Sequence, residues 1–190
     1  MRKPIRLVAI ATVLVAAAAL PAATLAQNAH LKGRNPVLFV DNGLTLSATV
    51  SYAGLGNFDT LQSVTATANP TATCTNPAGA TQPPGQNPAE TTVTGATAVP
   101  AGDIKNGNVT ISTTTAAPTT PIPGAPDCPN SRWTETITDM AFTSATITLS
   151  QDLNEDGDFN DAGELVLTVV CTFSSPTTNG SVPSSNVTCN

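Results

Sequence analysis

LTLSATVSY, residues 44–52, alternates apolar and polar side chains at every step. Leu44, Leu46, Ala48, Val50 and Tyr52 fall on one face of an extended chain. Thr45, Ser47, Thr49 and Ser51 fall on the other, which is the pattern of a half-buried β-strand. The same alternation recurs in residues 63–69, 92–99, 108–113 and 144–150. It is clearest in LVLTVVCTF, residues 165–173, where Leu165, Leu167, Val169, Cys171 and Phe173 share a face. The abundance of Thr and Val favours strands, because branching at Cβ restricts χ1. No segment beyond residue 26 combines helical spacing with a cap and a charged face, so the expected fold class is all-β. About seven short strands with turn signals between them predict an immunoglobulin-like β-sandwich. The Cys-Trp-Cys order of antibody domains is absent, since Trp133 follows Cys128 instead of lying between two core strands.

Two long segments rich in Pro and Gly interrupt the strands, TNPAGATQPPGQNPAE at residues 75–90 and TTAAPTTPIPGAPDCPN at residues 114–130. Loops of this length inside a compact domain need something to hold them. Cys74 opens the first and Cys128 lies near the end of the second. Four cysteines allow three pairings. The favoured set is Cys74–Cys128, which cross-links the two loops, with Cys171–Cys189, which ties a polar tail to the last strand.

The 190 residues suit one domain with its own core. Residues 1–26 have the three parts of a secretory signal: a basic start at Arg2, Lys3 and Arg6, an apolar run over residues 7–20, and small residues at Thr24 and Ala26. The run falls short of the roughly 20 residues that span a bilayer, so cleavage before Gln27 is expected in place of membrane anchoring. The expected organisation is then a signal peptide (1–26), a flexible N-terminal arm (27–36), a sandwich domain (37–175) and a polar tail (176–190). Cleavage leaves four basic and thirteen acidic residues, a net charge of −9. That balance excludes the electrostatic footprint of a nucleic-acid or anionic-membrane binder. Export also places the cysteines where disulfides form.

The acids concentrate in DLNEDGDFNDAGE, residues 152–164, which holds six carboxylates and no base. Oxygen-bearing side chains at loop positions one, three and five, followed by Gly at six, are how a loop wraps Ca²⁺. Asp152, Asn154 and Asp156 would give side-chain oxygens, Asp158 its backbone carbonyl and Glu164 a bidentate carboxylate. Asn160 or Asp161 would complete the shell, directly or through water. The loop departs from a helical EF-hand in two ways. Position twelve is Gly163, with the acid one residue later, and the flanks are strands. The expectation is therefore an EF-hand-like calcium loop joining the arms of a β-hairpin. Its plainer alternative is a solvated acidic turn. Mg²⁺ fits less well, because it demands a tighter octahedron and keeps its waters.

HLKG (30–33), DNGLTL (41–46), GLGN (54–57), ATCTNP (72–77), PGQNP (84–88), IKNGNV (104–109), CPN (128–130) and SATI (144–147) occur in that order. Together they resemble a group of small exported bacterial proteins of uncharacterised function. The resemblance implies a secreted bacterial protein and supplies no activity.

The remaining residues argue against catalysis. The single histidine, His30, would have to serve any Ser/His/Asp triad from a loose arm, or a copper site lacking a second imidazole. Asp103, Asp127, Glu135 and Asp139 show no spacing that pairs any two as an acid and a base. A glycan platform needs exposed aromatics, and Tyr52 is in phase with the core. That leaves Trp133 beside a Pro-rich loop. The expected function is a secreted, calcium-stabilised structural or interaction module with no enzymatic activity. The competing expectation is a module that recognises a glycan or peptide through its long loops. An exposed Trp133 beside a concave surface would favour the second.

Overall fold

A computed structural model describes residues 28–81, 89–122 and 128–190 of the chain. The expected signal peptide and its cleavage site lie outside these residues, as do the centres of both Pro-rich loops and Asp127. Ten strands form two antiparallel sheets packed face to face, a β-sandwich. The first sheet contains β1 (His30–Leu31), β2 (Val37–Asp41), β3 (Leu46–Ala53), β6 (Val109–Thr114) and β9 (Gly180–Ser181). In the second the order is β10 (Val187–Cys189), β8 (Leu165–Phe173), β7 (Thr134–Gln151), β4 (Thr60–Thr75) and β5 (Thr91–Val99). Among the described residues the helical segments are two 3₁₀ turns, and no helix is long and apolar enough to cross a membrane.

The period-two residues meet between the sheets. Leu46, Ala48, Val50 and Tyr52 of β3 face Val64 and Ala66 of β4, Ile147 and Leu149 of β7, and Val169 and Cys171 of β8 in one buried cluster. Phe39 and Phe173 meet edge to face across the sandwich, with ring centroids 5.1 Å apart. Tyr52 brings a polar group into this core with its partners. The Tyr52 hydroxyl donates to Gln62 Oε1 at 2.7 Å, and Gln62 Nε2 donates to Thr113 Oγ1 at 2.8 Å, all three residues being buried. Burial pushes the Tyr52 phenol well above the ordinary tyrosine range.

Both chain ends differ from the expected organisation. Residues 28–36 do not form a free arm, because His30 and Leu31 pair with Ala53 and Tyr52, on the strand that also carries β2. Residues 176–190, expected as a polar tail tied to the last strand by Cys171–Cys189, carry that bridge and also pair within both sheets. Gly180 and Ser181 add to β2, while Val187–Cys189 adds to β8, so this segment is shared between the two sheets. Short polar strands of two or three residues carry too little periodicity to register in a sequence. Both bridges of the favoured set are present, Cys74–Cys128 and Cys171–Cys189. Cys171 and Cys189 are directly opposite in the β8–β10 ladder.

At the other side the sheets close through β5 and β6. Ala116 N donates to Thr94 O at 2.8 Å, and Thr97 Oγ1 donates to Ser112 O at 3.2 Å. Gly95 permits the approach, since a Cβ there would lie 2.2 Å from the Thr114 carbonyl oxygen, a backbone atom that cannot step aside. Gly95→Ala is therefore expected to lower unfolding free energy by about 3 kcal/mol, the upper range for overpacking. Ala96→Thr, at the exposed neighbouring position, should change it by less than about 0.5 kcal/mol. Urea midpoints of the two variants check this. Equal midpoints would show that the seam opens freely.

Candidate functional site

The acidic segment links β7 to β8 at one end of the sandwich. Its two ends are drawn together by Gln151 N donating to Glu164 O at 2.9 Å. Between them the chain turns back on itself through side-chain acceptors. Asp152 receives Asp156 N on Oδ1 at 3.1 Å and Gly157 N on Oδ2 at 2.8 Å. Asn154 Oδ1 receives Asp156 N, and Asp156 Oδ1 receives Asp158 N. Gly157 has φ +85°, a left-handed conformation that explains glycine at the sixth loop position.

The extra residue before Glu164 does not displace it. Glu164 N donates to Asp161 O at 3.2 Å, closing a turn over Ala162 and Gly163, and the Glu164 side chain points back into the loop. Its Oε1 receives Leu153 N at 3.0 Å and its Oε2 receives Asp161 N at 3.2 Å. Glu164 is 2% exposed and Asp152 5%, unusual burial for carboxylates in a connecting loop. Hydrogen bonds from backbone N–H groups to a charged acceptor contribute about 1.5–3 kcal/mol each, which offsets that burial.

Five of the expected ligands meet in one network. Asn154 Nδ2 donates to Asp156 Oδ2 at 3.1 Å and to Asp161 Oδ2 at 2.7 Å, so two carboxylates converge on a single amide nitrogen. Asp152 and Glu164 anchor the two ends through backbone donors. Asp158 joins through its backbone N–H alone, while its carboxylate stands apart, Oδ1 accepting from both the backbone and the side chain of Asn160. Among the described residues, no three His, Cys, Asp or Glu side chains converge closely enough to hold a metal ion. The Asn154 amide occupies the point where the Asp156 and Asp161 carboxylates would otherwise meet.

Two further residues support the loop and carry no sequence signal. Asp152 N donates to Asp59 O at 2.9 Å, and Asp59 Oδ1 receives Ala101 N at 2.8 Å. Asn57, Phe58 and Asp59 thus form the opposite wall of an acidic cleft of about 450 Å³ beside Asp152 and Asp156. Gln151 is buried under the loop, where its amide bonds Thr60 Oγ1 and the backbone of Gly56. Asp59 belongs to no acidic run or motif and only the fold brings it to the loop, while Gln151 directly precedes Asp152 and only the fold buries its amide.

At another position a cleft of about 660 Å³ lies against the Cys74–Cys128 bridge, lined by Pro121, Cys128, Asn130, Trp133 and Glu135 among others. Trp133 is half-buried in its wall. Asn130 fixes the approach to the ring, its Oδ1 accepting Arg132 N and its carbonyl accepting Trp133 N, both at 3.0 Å. Glu135 Oε1 is buried without a hydrogen-bond partner. His30 bonds locally to Asn28 O at the edge of the first sheet. No family model, curated protein or solved structure matches the chain.

Proposed function

We propose that the protein is a secreted, non-catalytic structural or interaction module of the bacterial envelope or extracellular space, with Ca²⁺ held by residues 152–164. The observation that carries this reading is the convergence of Asp156 and Asp161 on the Asn154 amide, between the buried carboxylates of Asp152 and Glu164. Half a turn of that amide presents its oxygen in place of its nitrogen without moving the backbone, giving up the bond from Asp156 N, which keeps Asp152 Oδ1 as its acceptor. A cation then finds acceptors in a segment that contains no base to neutralise six acids. Because the loop joins two strands of one sheet, bound calcium would stiffen a hairpin, which makes its role structural. Two disulfides support an oxidising compartment.

Thermal melts of the exported protein test this reading. A module with a Kd of about 1 mM gains about 1.4 kcal/mol at 10 mM Ca²⁺, worth about 4 °C over EDTA for a domain of this size. Asp152→Ala/Asp156→Ala should lose the shift. A wild-type midpoint that ignores calcium, with no heat of binding in calorimetry, would reduce the segment to an acidic turn.

A second reading is favoured by the Trp133 cleft, a concave surface walled by an aromatic ring and braced by a disulfide. In that reading the module also recognises a glycan or peptide beside its long loops.

A further inference from the structure

We infer that the Trp133 cleft accepts a lysine or arginine side chain from a basic peptide segment, a proposal that rests on the second reading above. Three features of the site point the same way. Its volume of about 660 Å³ lies within the range of about 300–1,000 Å³ typical of sites for small ligands and side chains. Glu135 lines it with a carboxylate whose Oε1 is buried without a donor, a costly condition that a ligand cation or N–H group relieves. Trp133 supplies an aromatic wall, and a cation beside an indole is attracted by the ring quadrupole.

The spacing suits a long cationic side chain. Trp133 lies in the bend just before β7 and Glu135 is the second residue of that strand, so the ring and the carboxylate line one cleft with a single residue between them in sequence. An extended lysine or arginine stem lying along the indole brings its charged head to the carboxylate. The wall is fixed in advance by the Cys128 bridge and by the two hydrogen bonds that Asn130 accepts, so binding does not have to order it. Charge complementarity selects the partner, for the chain has thirteen acidic residues against seven basic ones. A neutral sugar would stack on the ring yet leave Glu135 without a counter-charge.

Trp133 is the only tryptophan in the chain, so its emission reports this cleft alone. The disulfide-intact protein is titrated with tri-lysine, tri-glutamate and neutral triacetylchitotriose, with calorimetry in parallel. Tri-lysine is expected to change Trp133 emission saturably, while tri-glutamate and the trisaccharide do not. Glu135→Gln should weaken tri-lysine at least tenfold, and Asp152→Asn/Asp156→Asn should leave it unchanged. Thr134→Lys, at an exposed rim position, places a competing cation beside the carboxylate and should weaken binding similarly even if Glu135→Gln folds poorly. Saturable binding of the trisaccharide without tri-lysine overturns the cation assignment and leaves a ligand-binding module. Absence of both overturns the module as well. Tri-lysine binding lost only in the acidic-loop variant overturns the site.

Discussion

A chain ending at Phe173 is expected to show no cooperative thermal transition above room temperature. The deletion removes β9 from the first sheet and β10 from the second, and with them the Cys171–Cys189 bridge. A bridge spanning 18 residues stabilises by about 3 kcal/mol in the chain-entropy view. The deletion also strips partners from the core. Thr177 Oγ1 donates to Asp41 Oδ2 and receives Phe142 N at 2.9 Å, while Thr177 N donates to Phe142 O at 2.9 Å. Asp41 is 2% exposed, so losing Thr177 leaves a buried carboxylate short of a donor. Removing one partner of a buried charge costs about 3–5 kcal/mol, and a domain has only about 5–15 kcal/mol to lose. Circular dichroism melts check the result. Cys171→Ser/Cys189→Ser serves as comparison, keeping both strands and losing about 3 kcal/mol. A truncated chain that melts cooperatively within a few degrees of the full protein would show that the C-terminal segment is an appendage.

The need for that segment was invisible in its composition, whereas the strands it supports were legible. LVLTVVCTF coincides with β8, and the alternation at residues 92–99 and 108–113 lies within one residue of β5 and β6. The pattern failed where the ladder slips. Residues 63–69 and 144–150 are only parts of β4 and β7, which run on to Thr75 and back to Thr134. Register shifts opposite Thr67/Ala68 and Thr71/Ala72 leave Thr143 and Thr138 of β7 unpaired and reset the inward phase of that strand, while in β4, whose phase is unbroken, Pro70 breaks the strand signal. Pro70 is tolerated because β5 pairs with β4 only as far as Ala68, so its missing N–H falls on an open edge. A further shift between Leu149 and Ser150 turns Leu165 outward, 56% exposed, although it is in phase with Val169 and Cys171. That irregularity lies at the base of the hairpin carrying the acidic loop. The candidate site was legible to the extent that its residues are consecutive. Its supports from Asp59 and Ala101 arrive from elsewhere in the chain, and Gln151, although it adjoins the loop, carries no charge or motif that marks it.

Glu164 has two roles that separate experimentally. Its oxygens hold Leu153 N and Asp161 N, and in the proposed calcium site the same carboxylate closes the shell. Glu164→Ala leaves both N–H groups without an acceptor and a void under the loop, so it should lower stability by about 3 kcal/mol even in EDTA. Glu164→Gln keeps the shape and one acceptor oxygen, so its unfolding free energy in EDTA should fall by only about 1 kcal/mol. The gain on adding 10 mM Ca²⁺ should vanish in both variants, because an amide offers neither the charge nor the bidentate pair of oxygens that the ion takes at the last loop position. Asp158→Asn provides the contrast. Its carboxylate is committed to Asn160 and stands outside the network, so the calcium gain should persist nearly whole. If Glu164→Gln retained the full calcium shift while Asp158→Asn abolished it, the ion would lie at the outer side of the loop, and Glu164 would serve only to fasten the hairpin.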